Sequence, residues 1–73
     1  NVNFSIEYQL TKNEDITIEI TDILGREVYK TVHTNQVIGT NKQEVNTFLE
    51  NGVYNFNLKM GNSTTNKKIV INK

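Results

Sequence analysis

The chain has 73 residues with eight cationic and eight acidic side chains, and it contains no cysteine, tryptophan, proline or alanine. These absences exclude disulfides and thiolate metal sites, and a single histidine with two serines leaves little material for a catalytic group. The zero net charge gives no sign of nucleic acid or membrane as a partner. The abundance of isoleucine, valine, threonine and asparagine favours strands and turns. We therefore expect an all-β domain that is not an enzyme, needs no cofactor, binds no nucleic acid and does not insert directly into a membrane.

Alternating apolar and polar residues predict strands with one buried face in the first half of the chain. The inward positions of the first strand are Val2, Phe4, Ile6, Tyr8 and Leu10. After a turn over residues 11–14, the second strand directs Ile16, Ile18 and Ile20 inward. Residues 22–25 form a short connection in which Gly25 is the candidate for a positive φ, and a third strand is predicted over residues 27–32.

The second half predicts three further strands. Residues 34–40 are polar and contain Gly39, which indicates a longer loop with Val37 and Ile38 tucked under it. A short strand is predicted over residues 42–47, followed by the strong turn signal Asn51-Gly52. The next strand has an apolar face formed by Tyr54, Phe56, Leu58 and Met60. A turn over residues 61–64 leads to a closing strand over 66–72, and this spacing predicts an antiparallel β-sandwich.

Titratable side chains give no convincing metal or catalytic site. His33 has no second histidine or cysteine to act with it, so we interpret it as an ordinary exposed histidine. Glu14, Asp15 and Asp22 could in principle bind calcium, but their spacing matches no recognisable calcium loop. Turn roles explain these acids better, and for Asp22 we expect a side-chain hydrogen bond to the backbone before Gly25.

Aromatic side chains offer an alternative in which the domain binds carbohydrate. Such a platform would require several of them to face solvent. Their alternation with polar residues instead places them with the aliphatic side chains and favours a core role. The aromatic residues concerned are Phe4, Tyr8, Phe48, Tyr54 and Phe56.

Charge is distributed unevenly along the chain. All eight acids lie in the first fifty residues with four cations, a balance of −4, whereas the remainder carries Lys59, Lys67, Lys68 and Lys73 with no acid, a balance of +4. At a sheet edge Lys67 and Lys68 would discourage unwanted strand pairing, or they would pair with acids on neighbouring strands. Alternatively, the basic terminal hairpin docks into an acidic receptor.

Three segments, taken in order, resemble a known family. Residues 16–28 end in an Asp-x-x-Gly-Arg turn formed by Asp22, Gly25 and Arg26, residues 49–54 have the form Leu-x-x-Gly-x-Tyr, and residues 67–73 form a basic and aliphatic terminal strand. Together they are similar to the type A C-terminal sorting domain of proteins exported by the type IX (Por) secretion system of Bacteroidetes. Members commonly begin with a Pro-Asn-Pro-like segment, and this chain has no proline. Without that segment, the sequence does not indicate where the cleavage site lies.

The resemblance implies an Ig-like β-sandwich of about six to seven short strands, with residues 1–73 forming a single sorting domain at the end of a larger secreted cargo. It implies recognition by the type IX translocon and an outer-membrane shuttle protein, then removal by a sortase-like peptidase. The cargo would be periplasmic in transit and finally on the cell surface or secreted. An Ig-like carbohydrate-binding module or structural spacer is the alternative.

Two sets of residues follow as hypotheses from this resemblance. The first is the recognised terminal strand, which could be bound by strand addition, and it consists of Lys67, Lys68, Ile69, Ile71 and Lys73. The second holds the fold: Asp22, Gly25, Arg26, Gly52 and Tyr54, with Gly25 and Gly52 as hairpin turn positions and Tyr54 as a core anchor.

Overall fold

The structure is a computed structural model that describes residues 2–73. In this range the chain forms six strands: β1 Val2–Leu10, β2 Glu14–Asp22, β3 Glu27–Gln36, β4 Gly39–Thr47, β5 Gly52–Met60 and β6 Ser63–Ile71. All strand pairs are antiparallel; β1 pairs with β4, and the second sheet has the order β3-β2-β5-β6. The predicted Ig-like antiparallel sandwich is confirmed. No helix in the described part of the chain is long and apolar enough to cross a membrane.

The core lies between the two sheets and is built by the predicted alternation. Ile16, Ile18 and Ile20 of the central strand β2 are completely buried, because the strand has neighbours on both sides and the β1-β4 sheet covers its inner face. Phe4 of β1 meets Phe56 of β5 edge to face, with ring centroids 6.0 Å apart. This contact joins the two sheets. Edge-to-face aromatic pairs stabilise a fold by more than the burial of their apolar area alone.

Strand β3 carries two irregularities in its pairing with β2. The register places one extra residue of β3 near Asn35 and another at Val28. Asn35 has a φ of 56°, and its N–H donates to the Asp15 carboxylate at 2.8 Å. Asp15 therefore fixes a bulge between two strands, a local role that needs no metal ion.

The predicted loop over residues 34–40 is wrong. Strand β3 continues to Gln36 and β4 begins at Gly39, so the connection consists only of Val37 and Ile38. These side chains are 61% and 62% exposed instead of tucked under a loop. A hydrogen bond from its backbone fixes this connection, because the Ile38 N–H donates to the Asn13 side chain at 2.7 Å. The two aliphatic side chains are therefore free to project into solvent.

Two expectations about residues 48–52 also need correction. Strands β4 and β5 lie in different sheets, so Asn51-Gly52 is not a hairpin turn; residues 48–51 cross between the sheets and Gly52 begins β5. Phe48 is 62% exposed, because it lies in this crossover and outside the alternation of any strand.

The environment of His33 also differs from the expectation. His33 is half-buried on β3 opposite Ile16, whereas the sequence suggested an exposed histidine.

The remaining differences concern strand ends. The predicted turn over residues 61–64 is only the two-residue connection between β5 and β6, and β6 ends at Ile71. Strand β4 begins three residues earlier than expected. The ends of these strands carry polar residues on both faces, so the sequence shows no apolar–polar alternation there. Edge strands allow this because their ends are exposed to solvent.

Candidate partner-recognition surface

The three segments singled out in the sequence meet at one end of the sandwich. Asp22, at the end of β2, pairs with Tyr54 of β5, and Gly52 pairs with Ile71 near the end of β6. The β2–β3 turn, the 48–51 crossover and the terminal strand are therefore neighbours in space. The sequence could not show this convergence, because it depends on the strand order of the second sheet.

The β2–β3 turn is organised by the Asp22 carboxylate. One oxygen accepts hydrogen bonds from the backbone N–H groups of Leu24 and Arg26, both at 2.9 Å, and the other accepts from Arg26 Nε at 2.8 Å. The Gly25 N–H donates to the Asp22 carbonyl at 3.0 Å, and Gly25 has a φ of 84°, a conformation that favours glycine. The backbone N–H and the guanidinium of Arg26 hold the pKa of Asp22 below its ordinary value.

This turn pushes two large aliphatic side chains into solvent. Ile23 is 74% and Leu24 is 73% exposed, whereas turns usually carry polar residues and glycine. Both residues line a groove of about 480 Å³ with Val28 and Val53. Val53 lies directly opposite the exposed Val70 of β6. We call these five residues, Ile23, Leu24, Val28, Val53 and Val70, the apolar end patch.

The other side of the groove is positioned by Tyr54. Its ring is buried, and its hydroxyl donates to the backbone carbonyl of Glu50 at 2.7 Å. A tyrosine hydroxyl bonded to the backbone a few residues upstream, at a corner between strands, is a known feature of Ig-like sandwiches. Tyr54 thereby ties the 48–51 crossover to the core. Glu50 and Asn51, on this crossover, complete that wall of the groove.

The terminal strand β6 divides its side chains between two faces. Ile69 and Ile71 pack against the core, whereas Lys68 and Val70 occupy outer positions. Lys67 occupies an inner position opposite Phe56, yet it is exposed because β6 is the edge of the sheet. The two adjacent lysines are therefore on opposite faces.

Lys73 follows β6 and returns to the crossover. Its backbone N–H donates to the Asn51 side chain at 2.9 Å. Its ammonium lies 4.4 Å from the centre of the Phe48 ring, close enough for a cation–π interaction. Both contacts hold the end of the terminal segment beside the groove.

The family model of the secretion system C-terminal sorting domain matches residues 1–72. The chain belongs to this family. No curated protein matches it significantly. The sorting domain is thus a C-terminal sorting signal for type IX secretion. The match includes residues 16–28, residues 49–54 and the terminal segment up to residue 72.

The lysines of the sorting domain differ in their partners. Glu19 on the outer face contacts Lys59 at 2.8 Å and Lys30 at 4.0 Å, and the hydrogen bond from Lys59 holds the pKa of Glu19 below its ordinary value. Among the ion pairs of residues 2–73, none includes Lys67 or Lys68. The structure places both at a sheet edge but does not pair them with neighbouring acids.

The alternatives of metal and carbohydrate binding gain no support from the sorting domain. Within residues 2–73, no three histidine or acidic side chains approach closely enough to hold a metal ion. Tyr8, Tyr54 and Phe56 are buried, and Phe4 packs against them. Only Phe48 of the candidate aromatic residues is exposed, and it is covered on one side by Lys73.

Sequence reasoning missed the apolar end patch. It treated Ile23 and Leu24 only as part of a connection, and Val70 as part of the terminal strand. The available signal was the presence of two large aliphatic residues inside a turn, where burial is not expected. Exposed apolar clusters of this kind mark interaction sites.

Proposed function

We propose that the sorting domain presents its apolar end patch, together with the terminal strand, to the type IX translocon or to an outer-membrane shuttle protein. The observation that supports this proposal is that two of the family segments line one groove and the third lies beside it, with Val70 opposite Val53. A sorting signal has to be bound by another protein, and beside this groove the domain exposes Ile23 and Leu24 on a turn whose backbone is held by hydrogen bonds.

In this proposal the domain is a substrate and supplies no catalytic group. The cargo passes through the periplasm, the folded domain is bound at the outer membrane, and a sortase-like peptidase then removes it. Ile69 and Ile71 hold β6 on the core, and Lys68 and Lys73 are left available at the surface. Lys67 contributes from the opposite side of the same strand.

The test is surface export of a reporter protein carrying the sorting domain in a bacterium with a type IX system. Ile23→Ser with Leu24→Ser removes the tip of the apolar end patch. Because both side chains are more than 70% exposed, the fold should persist, and we expect export to fall about tenfold, as for the loss of a central contact in an interface.

The matched control is Val37→Ser with Ile38→Ser. These residues form another exposed aliphatic pair, 61% and 62% exposed, in the β3–β4 connection beside the start of β2, so the substitutions also remove surface hydrophobicity. Export of this control should remain at the unmodified level. Equal export of both double variants, each shown to be folded by circular dichroism, would rule out the apolar end patch as the recognition surface.

A further inference from the structure

The free edge of β6 is regular along its whole length, unlike the β3 edge of the same sheet. All nine residues of β6 pair with β5 without a register shift, so the opposite side of the strand is an uninterrupted edge. The other outer strand of this sheet, β3, is interrupted by its two irregularities. Bulges of this kind protect edges from pairing, and β6 has none.

The side of the sandwich near β3 is also closed by hydrogen bonds between the sheets. The Tyr8 hydroxyl donates to the Gln36 side-chain oxygen at 3.2 Å, and the Gln43 amide donates to the same oxygen at 3.0 Å. On the opposite side, β6 and β1 are separated by a groove of about 280 Å³. The residues that line this groove include the apolar Phe56 and Leu58 and the charged Lys67 and Glu7.

Charge indicates what kind of strand would fit this edge. Lys67 and Lys68 lie on opposite faces near the middle of β6, and neither ammonium is within 4.0 Å of a carboxylate in residues 2–73. Glu7, which lines the same groove, is also more than 4.0 Å from the Lys67 ammonium. Opposite charges directly across a strand pair stabilise it, and like charges destabilise it.

We propose that β6 accepts an extended acidic strand of a partner protein along its free edge. Backbone hydrogen bonds to the edge supply affinity. Two adjacent acidic residues of the incoming strand select this edge, because adjacent strand residues point to opposite faces and thus face Lys67 and Lys68 separately. The inference deepens the proposed function by giving the chemistry of the recognised partner, and its role in export depends on that function.

A second copy of the chain does not meet this requirement. Lys67 is the central residue of β6, Ser63–Ile71, so antiparallel pairing of two β6 edges about their centres would bring the lysines of both copies together. The repulsion disfavours self-pairing, while an acidic strand relieves it. The same two lysines therefore both protect the edge and select a partner.

The experiment measures binding of labelled nine-residue peptides to the 73-residue chain by fluorescence anisotropy. One peptide alternates valine and threonine around two central glutamates, and the control peptide has two lysines instead. We expect the glutamate peptide to bind in preference to the lysine peptide. Lys67→Gln with Lys68→Gln should weaken its binding about fivefold, whereas Lys12→Gln with Lys42→Gln should leave it within twofold.

Two further readouts locate the interaction. Lys67→Glu with Lys68→Glu should reverse the preference and favour the lysine peptide. Amide hydrogen exchange should slow in β6 on binding of the glutamate peptide, and not in β3. No binding of the glutamate peptide, equal binding of both peptides, or protection confined to β1 or β3 would each overturn the inference.

The export assay keeps the two proposals separate. If export depends on Ile23 and Leu24 but the glutamate peptide does not bind, the acidic-strand inference is wrong and the sorting surface stands. If the peptide binds as expected while export is indifferent to Ile23 and Leu24, the β6 edge is supported and the apolar end patch is not.

Discussion

At the scale of single residues, the hydroxyl of Tyr54 fixes the position of the candidate surface. The ring is buried beside the core, and the hydroxyl bonds the Glu50 carbonyl at 2.7 Å. This bond joins the crossover, whose Glu50 and Asn51 line the groove, to the buried ring. A phenylalanine would keep the packing and leave the carbonyl without its partner.

We therefore predict that Tyr54→Phe lowers the free energy of unfolding by about 1 kcal/mol, the usual contribution of one such hydrogen bond. Urea denaturation followed by circular dichroism measures the change. Tyr29→Phe is the control, because Tyr29 is also partly buried against the core and its hydroxyl makes no hydrogen bond within residues 2–73. An equal loss in both variants would show that the Glu50 bond has no special role.

At the scale of elements, the β2–β3 turn depends on the backbone of Gly25. Its φ is 84°, and an added Cβ would meet no atom within 4 Å. The cost of a side chain here is therefore conformational and not steric crowding by neighbours. Because this turn presents Ile23 and Leu24, its geometry also governs the apolar end patch.

Gly25→Ala is expected to destabilise the domain by about 1 kcal/mol, the cost of placing an L-residue in the left-handed region. Gly25→Asn should cost less, because asparagine tolerates that region. Thermal unfolding of the three proteins measures the order. A melting temperature for the alanine variant at or above that of the glycine protein would contradict the turn assignment.

The strands also show which parts of the fold can be predicted from the sequence pattern. Alternation correctly gave the inner faces of β1, β2 and β5, because their side chains face a core on one side only. It failed at residues 34–40, where β3 and β4 continue through polar residues at sheet edges, and backbone pairing rather than burial defines the strand.

The candidate site was less predictable for a related reason. The Asp22 turn followed from local chemistry, since its hydrogen bonds join residues at most four apart. The groove depends on pairing between Asp22 and Tyr54 and between Gly52 and Ile71, which no local pattern contains. Asn51-Gly52 was misread because the same dipeptide fits both a hairpin turn and the start of a strand after a crossover.

At the scale of the whole molecule, the domain is small, and a chain of this size has little stability to spare. The pKa values of Asp22 and Glu19 are both lowered in the folded state, chiefly by hydrogen bonds from Arg26 and Lys59 respectively. Groups with lowered pKa values stabilise the fold when ionised. Their contribution is present above the ordinary values of 3.8 and 4.5 and is lost as the pH falls through the folded values.

We accordingly expect the melting temperature to be steady from pH 7 to about pH 5 and to fall as the pH is lowered further, below the ordinary carboxyl values. The double variant Asp22→Asn with Glu19→Gln should be less stable at pH 7. Its melting temperature should also fall less steeply as the pH is lowered below about 5. Differential scanning calorimetry across this range provides the measurement. If the melting temperature of the double variant falls as steeply with decreasing pH as that of the unmodified domain, other carboxylates control acid unfolding.

We propose that this 73-residue domain is by itself a sufficient sorting signal for type IX secretion, and its transfer to a reporter tests this most directly. A reporter enzyme with a periplasmic signal peptide is fused to the domain and expressed in a type IX-competent bacterium and in the same strain lacking the translocon. We expect protease-accessible reporter at the surface or in the medium only for the fusion in the competent strain. Retention of the fusion in the periplasm of that strain, or equal export without the translocon, would contradict it.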